Sequence, residues 1–357
     1  MYSETDLQAA VDAKVLTPEA AAAFRSHIAS VRAAPGADEE HFRLITGFND
    51  IFVSIAAVIL LVAVGWIGAS IHPAMGGAFV AASAWFLAEY FTLLRRMALP
   101  SIVLVLAFSG GVFATMIGFL VKHGESIFGD NVNEATGAAL FGVMALVTAA
   151  ATWFHWKRFM VPITVAAGTA ALAATAVALV LAVAGVSSPD GTLPMILVLI
   201  AGIGVFTLAM WWDRSDRVRQ TRRSDVAFWL HLLAAPMIAH PVFHLLGVTD
   251  GSDIGSGAAL LVVGIYVVFG LIALAIDRRA LLVSALAYVL FAMTQLFREF
   301  GAVELNVAMT AFVIGSALLL LSAFWQNARA VVVDLLPGNL ANQLPATIRT
   351  TGVVAQG

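Results

Sequence analysis

The sequence predicts an all-α, polytopic membrane protein, a bundle of about ten transmembrane helices preceded by a small helical hairpin. Of its 357 residues, 61% are hydrophobic and only 11% are charged, whereas soluble domains carry roughly 25% charged residues. The apolar residues come in runs of about 20, the length at which a helix crosses the hydrocarbon core. These runs do not alternate polar and apolar residues, as the strands of a membrane barrel would. The pattern therefore favours helices throughout.

The most basic stretch of the chain, residues 213–225, has the sequence DRSDRVRQTRRSD and lies between two apolar runs. Lys and Arg beside transmembrane helices stay on the cytoplasmic side, so this stretch orients the helices around it. Its arginines are predicted to set the topology and to contact anionic lipid headgroups. They are Arg214, Arg217, Arg219, Arg222 and Arg223.

Charge placement elsewhere predicts that both termini lie in the cytoplasm. The membrane is predicted to be the inner membrane of a bacterium. Of the 19 Lys and Arg residues, only Lys122 and Arg298 fall in loops predicted outside. Basic pairs recur in the predicted inner turns, as at Arg95-Arg96 and Arg278-Arg279. This recurrence fits either an ancestral hairpin repeat or the positive-inside rule alone.

Three parts are predicted along the chain: a cytoplasmic hairpin with its linker (residues 1–45), the ten-helix bundle (46–327) and a cytoplasmic tail (328–357). Thr17-Pro18 is a typical helix start, with a capping hydroxyl before a proline. Helices this short are marginal alone. The hairpin is therefore expected to pack on a protein partner, on a second copy or on the membrane surface.

The ten spans are predicted from the apolar runs and from prolines at several helix starts, where a missing N–H costs little. Gly110, Ala114 and Gly118 form a small-residue face on the third span, and alanines recur from Ala166 to Ala178 on the fifth. Such faces let helices approach closely, which places these two helices in the bundle centre. The approximate spans are residues 50–71, 73–94, 100–121, 135–154, 160–186, 193–212, 226–246, a span ending near 277, 280–297 and 305–325.

The seventh span is the first candidate for chemistry, because it contains His231, His240 and His244 around two internal prolines. Pro236 and Pro241 should free carbonyls and bend or break the helix. Freed carbonyls within a membrane need protein or a watery cavity around them. The two outer histidines are four residues apart and would share a helix face.

Two readings of these histidines remain open. They are a proton or ligand site, or even part of a metal site, or they are neutral and hydrogen-bonded at the interface. Two imidazoles are too few for zinc without further ligands. Countercharge is predicted from Arg298, Glu299 and Glu304.

Glu89, near the inner end of the second span, is the other candidate for proton coupling. The alternative is that its carboxylate reaches Arg95, Arg96 or water at the interface.

The chain has no cysteine, which excludes disulfides and thiolate chemistry. No phosphate-binding loop, HExxH or GxSxG motif occurs, and no cofactor is predicted. The first functional hypothesis is a non-enzymatic scaffold or regulatory protein that binds a partner, because buried charge is scarce. The alternative is a secondary transporter of a small molecule, of which a proton-coupled carrier is one form, with its site beside the seventh helix. An intramembrane enzyme comes third.

Three stretches resemble a family of uncharacterised bacterial inner-membrane proteins that share a domain of unknown function. They are LQAAVDAKVLTPEAAAAF (Leu7–Phe24), ILLVAVGWIG (Ile59–Gly68) and AEYFTLLRRMALPSIVLVLAFSGGVFATMIGF (Ala88–Phe119). The resemblance covers about the first third of the chain and implies a multi-pass membrane protein without naming a ligand. Ten helices with both termini inside also looks like the drug and metabolite transporter superfamily, although the N-terminal extension and the long tail depart from it.

Overall fold

The structure, a computed structural model, describes residues 4–24, 48–129, 133–185, 191–217, 219, 221–248, 255–299, 305–341 and 343–345. These residues form helices and turns, and none of the described residues lies in a strand. The chain divides near residue 44 into two compact units. The described residues 4–24 belong to the first unit and the remaining described residues to the second.

The described part of the first unit contains two short helices. Helix α1 is Glu4–Asp12, and the described part of α2 covers residues 18–24. The Thr17 hydroxyl accepts a hydrogen bond from the Ala20 amide at 3.1 Å, which confirms the predicted cap. Leu7 and Ala21 are buried, one on each helix.

The described residues of the second unit include ten helices that are long and apolar enough to cross a membrane, and the protein is a multi-pass membrane protein. A π-helix, Glu89–Leu94, follows α4 directly and completes the same span. Two short helices, α13 and α14, follow the last span. The helices are α3 Phe48–Ile71, α4 Pro73–Ala88, α5 Ala98–Phe128, α6 Glu134–Phe159, α7 Pro162–Ala184, α8 Thr192–Ser215, α9 Arg222–Leu245, α10 Ser256–Ile276, α11 Ala280–Glu299, α12 Asn306–Ala323, α13 Trp325–Asp334 and α14 Gly338–Ala341.

All ten predicted spans are present, and the largest differences lie at helix ends. Helix α5 continues to Phe128 rather than ending near Val121, because a helix satisfies its own backbone beyond the apolar region as well as within it. The predicted tail also begins as structure: Trp325, Arg329 and Val333 of α13 are buried. At least its first part packs on the bundle.

Side chains at the helix starts satisfy free backbone donors. The His72 ring accepts the Ala74 amide through Nδ1 at 3.1 Å, with Pro73 at the first helical position of α4. The Asn133 side chain accepts the Thr136 amide at 2.8 Å. Such caps fix where a span begins, and they explain why proline and polar residues located the starts well in the sequence.

Helix α9 is the most buried of the spans in the described residues. It packs against α7, α8 and α11, and 50% of its most apolar stretch is buried, compared with 28% for α5 and 17% for α7. Helix α7 nevertheless packs against α5, α6, α8 and α9, so the predicted central position of α5 and α7 stays a prediction. Small residues let one pair of helices approach closely, as α6 and α7 do around Gly142 and Ala178.

The small-residue face of α5 is also rotated from the prediction. A Cβ at Gly110 would meet open space, whereas one at Gly111 would collide with the backbone of α4 at Gly77 and Ala81. Gly118 likewise lies against the start of α4, at Pro73. The close contact that glycine permits is thus made by Gly77, Gly111 and Gly118.

Side-chain contacts bring several basic turns to one end of the bundle. Glu89, at the start of the π-helix after α4, pairs with Arg158 of α6. The α6–α7 turn at Met160 lines a cleft with Arg222 of α9, and Arg219 binds Asp277 after α10. This end, where α8 ends and α9 begins, is called the arginine end below.

Candidate functional site

Asp213, in the last turn of α8, is the centre of a buried polar cluster. Its Oδ2 lies 2.9 Å from Nε2 of His231 on α9, and its Oδ1 accepts a hydrogen bond of 2.7 Å from Nη2 of Arg278 after α10. The same Arg278 nitrogen donates to the Ser224 carbonyl at 3.3 Å. The side chains of Asp213, His231 and Arg278 are 2%, 2% and 5% exposed.

Asp277, the residue before Arg278, is a second buried carboxylate with several donors. Its Oδ2 accepts from Nη1 of Arg219 at 2.7 Å, and its Oδ1 accepts from the Trp325 indole at 2.7 Å. Arg219 also donates to the carbonyls of Ile276 and Asp277, each at 3.2 Å. Asp277 adopts a left-handed backbone conformation, with φ of 57°, which ends α10 and turns its side chain toward α13.

The same cluster holds part of the predicted tail. Nε of Arg329 lies 3.7 Å from Oδ1 of Asp277, and its Nη2 donates to the Pro345 carbonyl at 2.7 Å. Arg217 donates to the Leu344 carbonyl at 3.0 Å. Leu344 is buried against Ile276 and Val333, so residues 343–345 close over the end of α10.

These residues are called the Asp213–Asp277 network below: Arg219, Trp325 and Arg329 around Asp277, and His231 and Arg278 around Asp213. Cations and N–H donors surround both carboxylates, so the charges are compensated where they are buried. Breaking such a pair by removing one partner costs about 3–5 kcal/mol. The arrangement cross-links α8, α9, α10 and α13. Its hydrogen bonds and ion pairs hold the ends of these helices together.

The five predicted lipid-facing arginines fall into two groups. Arg217 and Arg219 donate hydrogen bonds into the protein, to Leu344 and to Asp277. Within the described part of the chain, Arg214, Arg222 and Arg223 are exposed and make no hydrogen bond or ion pair through their side chains. Lipid contact stays a prediction for all five arginines, and the second group has its guanidinium groups available for it.

The predicted break in the seventh span is not observed, because α9 runs without interruption from Arg222 to Leu245. Pro241 leaves the Met237 carbonyl without its helical donor. A Cβ added to Gly202 of α8 would lie 2.9 Å from that carbonyl oxygen. The freed carbonyl is therefore covered by the backbone of α8 instead of facing a cavity, as a membrane interior requires.

The outer histidines of α9 lie together at the end opposite the arginine end. Nδ1 of His240 is 2.6 Å from the Tyr288 hydroxyl of α11. The rings of His240 and His244 are 6.1 Å apart. The predicted shared face is confirmed, and Tyr288 is a neighbour that the sequence did not reveal.

The role of Arg298, Glu299 and Glu304 as countercharges for these histidines stays a prediction. Arg298 and Glu299 are exposed at the end of α11, and Nη1 of Arg298 lies 3.4 Å from Oε1 of Gln295. Glu304 lies outside the described residues. Among the described residues, no group of three or more metal-ligating side chains occurs.

Glu89 does not belong to the same site. Its carboxylate binds Arg158 through two hydrogen bonds of 2.9 and 2.7 Å, so its observed partner is on α6 and not in the Arg95-Arg96 turn. It lies at the arginine end, and His240 is 18 residues along α9 from Arg222, about 27 Å at 1.5 Å per residue. Glu89 and His240 therefore lie at opposite ends of the bundle.

A second buried histidine, His155 of α6, was missed by the sequence analysis. It is 1% exposed and lies among the rings of Trp85, Phe108 and Phe159. Neither ring nitrogen has a hydrogen-bond partner within the described part of the chain. Because α6 ends four residues later, the sequence pattern predicted that this ring lies at the membrane–water interface. Water would have hydrogen-bonded to its ring nitrogens there.

The Asp213–Asp277 network was also missed, although a signal was present. Asp213 and Asp277 each follow directly on an apolar run and stand beside arginine in otherwise basic turns. An acid in such a position is readily paired with a neighbouring cation. The partners of each acid could be identified only from the structure, because Asp213 and Arg278 are 65 residues apart in the chain.

Comparisons with known proteins add no assignment: no family model, no curated protein and no solved structure matches this chain. The fold and its buried residues therefore define the class, a multi-pass helical membrane protein with ten spans in the described residues and a buried ion-pair network at one end. The two family resemblances of the sequence stay predictions.

Proposed function

We propose that this protein is a non-enzymatic scaffold or regulatory protein of a bacterial cytoplasmic membrane, with its arginine end in the cytoplasm. One observation carries the proposal: the buried aspartates and arginines of α8, α10 and α13 are joined in ion pairs at one end. Pumps and ion carriers place ionisable groups along a path at mid-membrane. Ion pairs that join the helix ends make this end of the bundle rigid, and a rigid surface is suited to binding a partner protein.

The partner is proposed to bind through the N-terminal hairpin. Both of its helices are short, and two short helices gain stability mainly from what they pack against. Val15 at the turn between them is 76% exposed, and Phe24 of α2 is 38% exposed. Apolar side chains at a helical turn are suited to the core of a protein interface.

A pull-down from membranes tests this proposal directly. The full chain is compared with a chain lacking residues 1–45 and with a full-length Val15→Asp variant, which disturbs the exposed turn but keeps the hairpin. The same specific partner should be lost in both. Unchanged partners on deletion would contradict the scaffold proposal.

Sidedness has its own test, because the chain contains no cysteine and single cysteines report without background. Arg214→Cys at the arginine end should react with an impermeant maleimide only after the membrane is opened. Lys122→Cys, in α5 near the opposite end, should react in intact spheroplasts. Reversed labelling would invert the proposed orientation of every helix.

A proton-coupled transporter is the second candidate, favoured by the deep burial of α9 and by the His240–Tyr288 contact of 2.6 Å. Substitution of His240 and His244 by Gln in proteoliposomes should then abolish a pH-gradient-dependent flux that His155→Leu preserves. A flux that does not respond to either outer histidine would remove this candidate.

A further inference from the structure

An open cleft of about 520 Å³ lies at the arginine end between the α6–α7 turn and the start of α9. Met160, Ser215, Thr221, Arg222 and Arg223 line it. Within the described residues, the guanidinium groups of Arg222 and Arg223 have no hydrogen-bond or ion-pair partner. Two adjacent cations that repel each other favour an anion between them.

The cleft lies at the depth at which the helices leave the membrane. Its residues come from the end of α8, the start of α9 and the turn before α7, three span ends at once. Trp153 and Trp211, in the last turns of α6 and α8, are 57% and 64% exposed. Exposed tryptophans at helix ends are typical of the headgroup region.

The other polar groups of the cleft are already engaged, which leaves the binding to the two arginines. The Thr221 hydroxyl donates to Asp216 at 2.6 Å, and the Ser215 hydroxyl donates to the Trp212 carbonyl at 2.6 Å. The Asp216 carboxylate also accepts the Thr221 amide at 2.8 Å. Asp225, an acid of the same helical turn, has an interaction of its own.

We propose that this cleft binds the phosphate group of an anionic phospholipid between Arg222 and Arg223. The planar guanidinium forms paired hydrogen bonds with phosphate oxygens, and a headgroup is the phosphate source at this depth. The exposed apolar side chain of Met160 suits the glycerol and upper acyl region of the same molecule. This inference does not depend on the proposed function, since either a scaffold or a transporter would bind lipid here.

The test uses the purified full-length protein in vesicles of phosphatidylcholine with and without added phosphatidylglycerol. Retained phosphatidylglycerol is measured by native mass spectrometry for the wild type and for the Arg222→Gln/Arg223→Gln double variant. A basic residue near an anionic surface changes affinity about fivefold, so the double variant should bind about 25-fold more weakly. Arg214→Gln is the matched control, since Arg214 is exposed in the last turn of α8 at the same end of the bundle but does not line the cleft.

Three results would overturn the proposal. The double variant retains as much phosphatidylglycerol as the wild type, or Arg214→Gln loses as much as the double variant, which would reduce the effect to general surface charge. In the third, inorganic phosphate without anionic lipid raises the melting temperature of the wild type only, while phosphatidylglycerol does not. A soluble phosphate compound would then be the ligand. Gel filtration and tryptophan fluorescence should match the wild type in every variant.

Discussion

Two ion pairs of the arginine end have the same bond length and different surroundings. Arg278 binds Asp213 at 2.7 Å with side chains 5% and 2% exposed, and Arg158 binds Glu89 at 2.7 Å with side chains 52% and 33% exposed. Water and headgroups compete for the exposed pair, whereas the buried pair has only the protein. Distance alone therefore does not indicate what a charge contributes. The stability lost when one partner of an ion pair is removed depends on whether the remaining charge is buried or exposed to water.

The largest effect is expected from Arg278→Met, which leaves Asp213 buried with His231 as its remaining partner. The free energy of unfolding should fall by about 3–5 kcal/mol, measured by reversible unfolding in detergent micelles. Arg223→Met, at an exposed arginine, should change it by no more than about 0.5 kcal/mol. Equal effects of the two substitutions would show that burial does not separate them.

A smaller loss is expected from Trp325→Phe, which keeps the ring packing but removes the indole N–H that donates to Asp277 at 2.7 Å. A hydrogen bond to a charged group contributes about 1.5–3 kcal/mol, and the same unfolding measurement reports it. Trp153→Phe is the control, because that side chain is largely exposed on α6. If Trp153→Phe lost stability and Trp325→Phe did not, the proposed contribution of the hydrogen bond to Asp277 would be contradicted.

The two buried histidines should respond in opposite directions. His155→Leu removes a ring without hydrogen-bond partners in the described residues and should raise the free energy of unfolding by about 1 kcal/mol, because an unsatisfied polar group is costly to bury. His231→Leu removes a partner of Asp213 and should lower it. Thermal melting curves of the two variants and of the wild type measure the direction of each change. A loss of stability in His155→Leu would mean that this ring has a polar partner after all.

The smallest effect belongs to the exposed pair. Glu89→Gln keeps a hydrogen-bond acceptor for Arg158 and should cost less than about 1 kcal/mol. The cost should shrink further at high salt, since exposed charges are screened. Unfolding at two ionic strengths measures both statements. A salt-independent loss as large as that of Arg278→Met would erase the contrast between the two pairs.

The spans were predictable because hydropathy and helix caps act locally. Prolines such as Pro73 and Pro162 mark starts that the structure keeps. The network was not predictable, because Asp213 finds His231 on the next helix and Arg278 two helices further. In sequence, Arg219 and Arg278 are indistinguishable from Arg214, since burial depends on the packing of helices that are far apart in the chain. The histidine pair of α9 was found from spacing alone, while Tyr288 was not.

The position of Trp325 has a consequence for the order in which the chain is made. It follows Asp277 by 48 residues, which takes roughly 2–10 s at the usual 5–20 residues per second of synthesis. During that interval Asp277 emerges from the ribosome ahead of its indole donor and of Arg329. A nascent chain halted before α13 therefore carries a carboxylate that Arg219 compensates without Trp325 and Arg329.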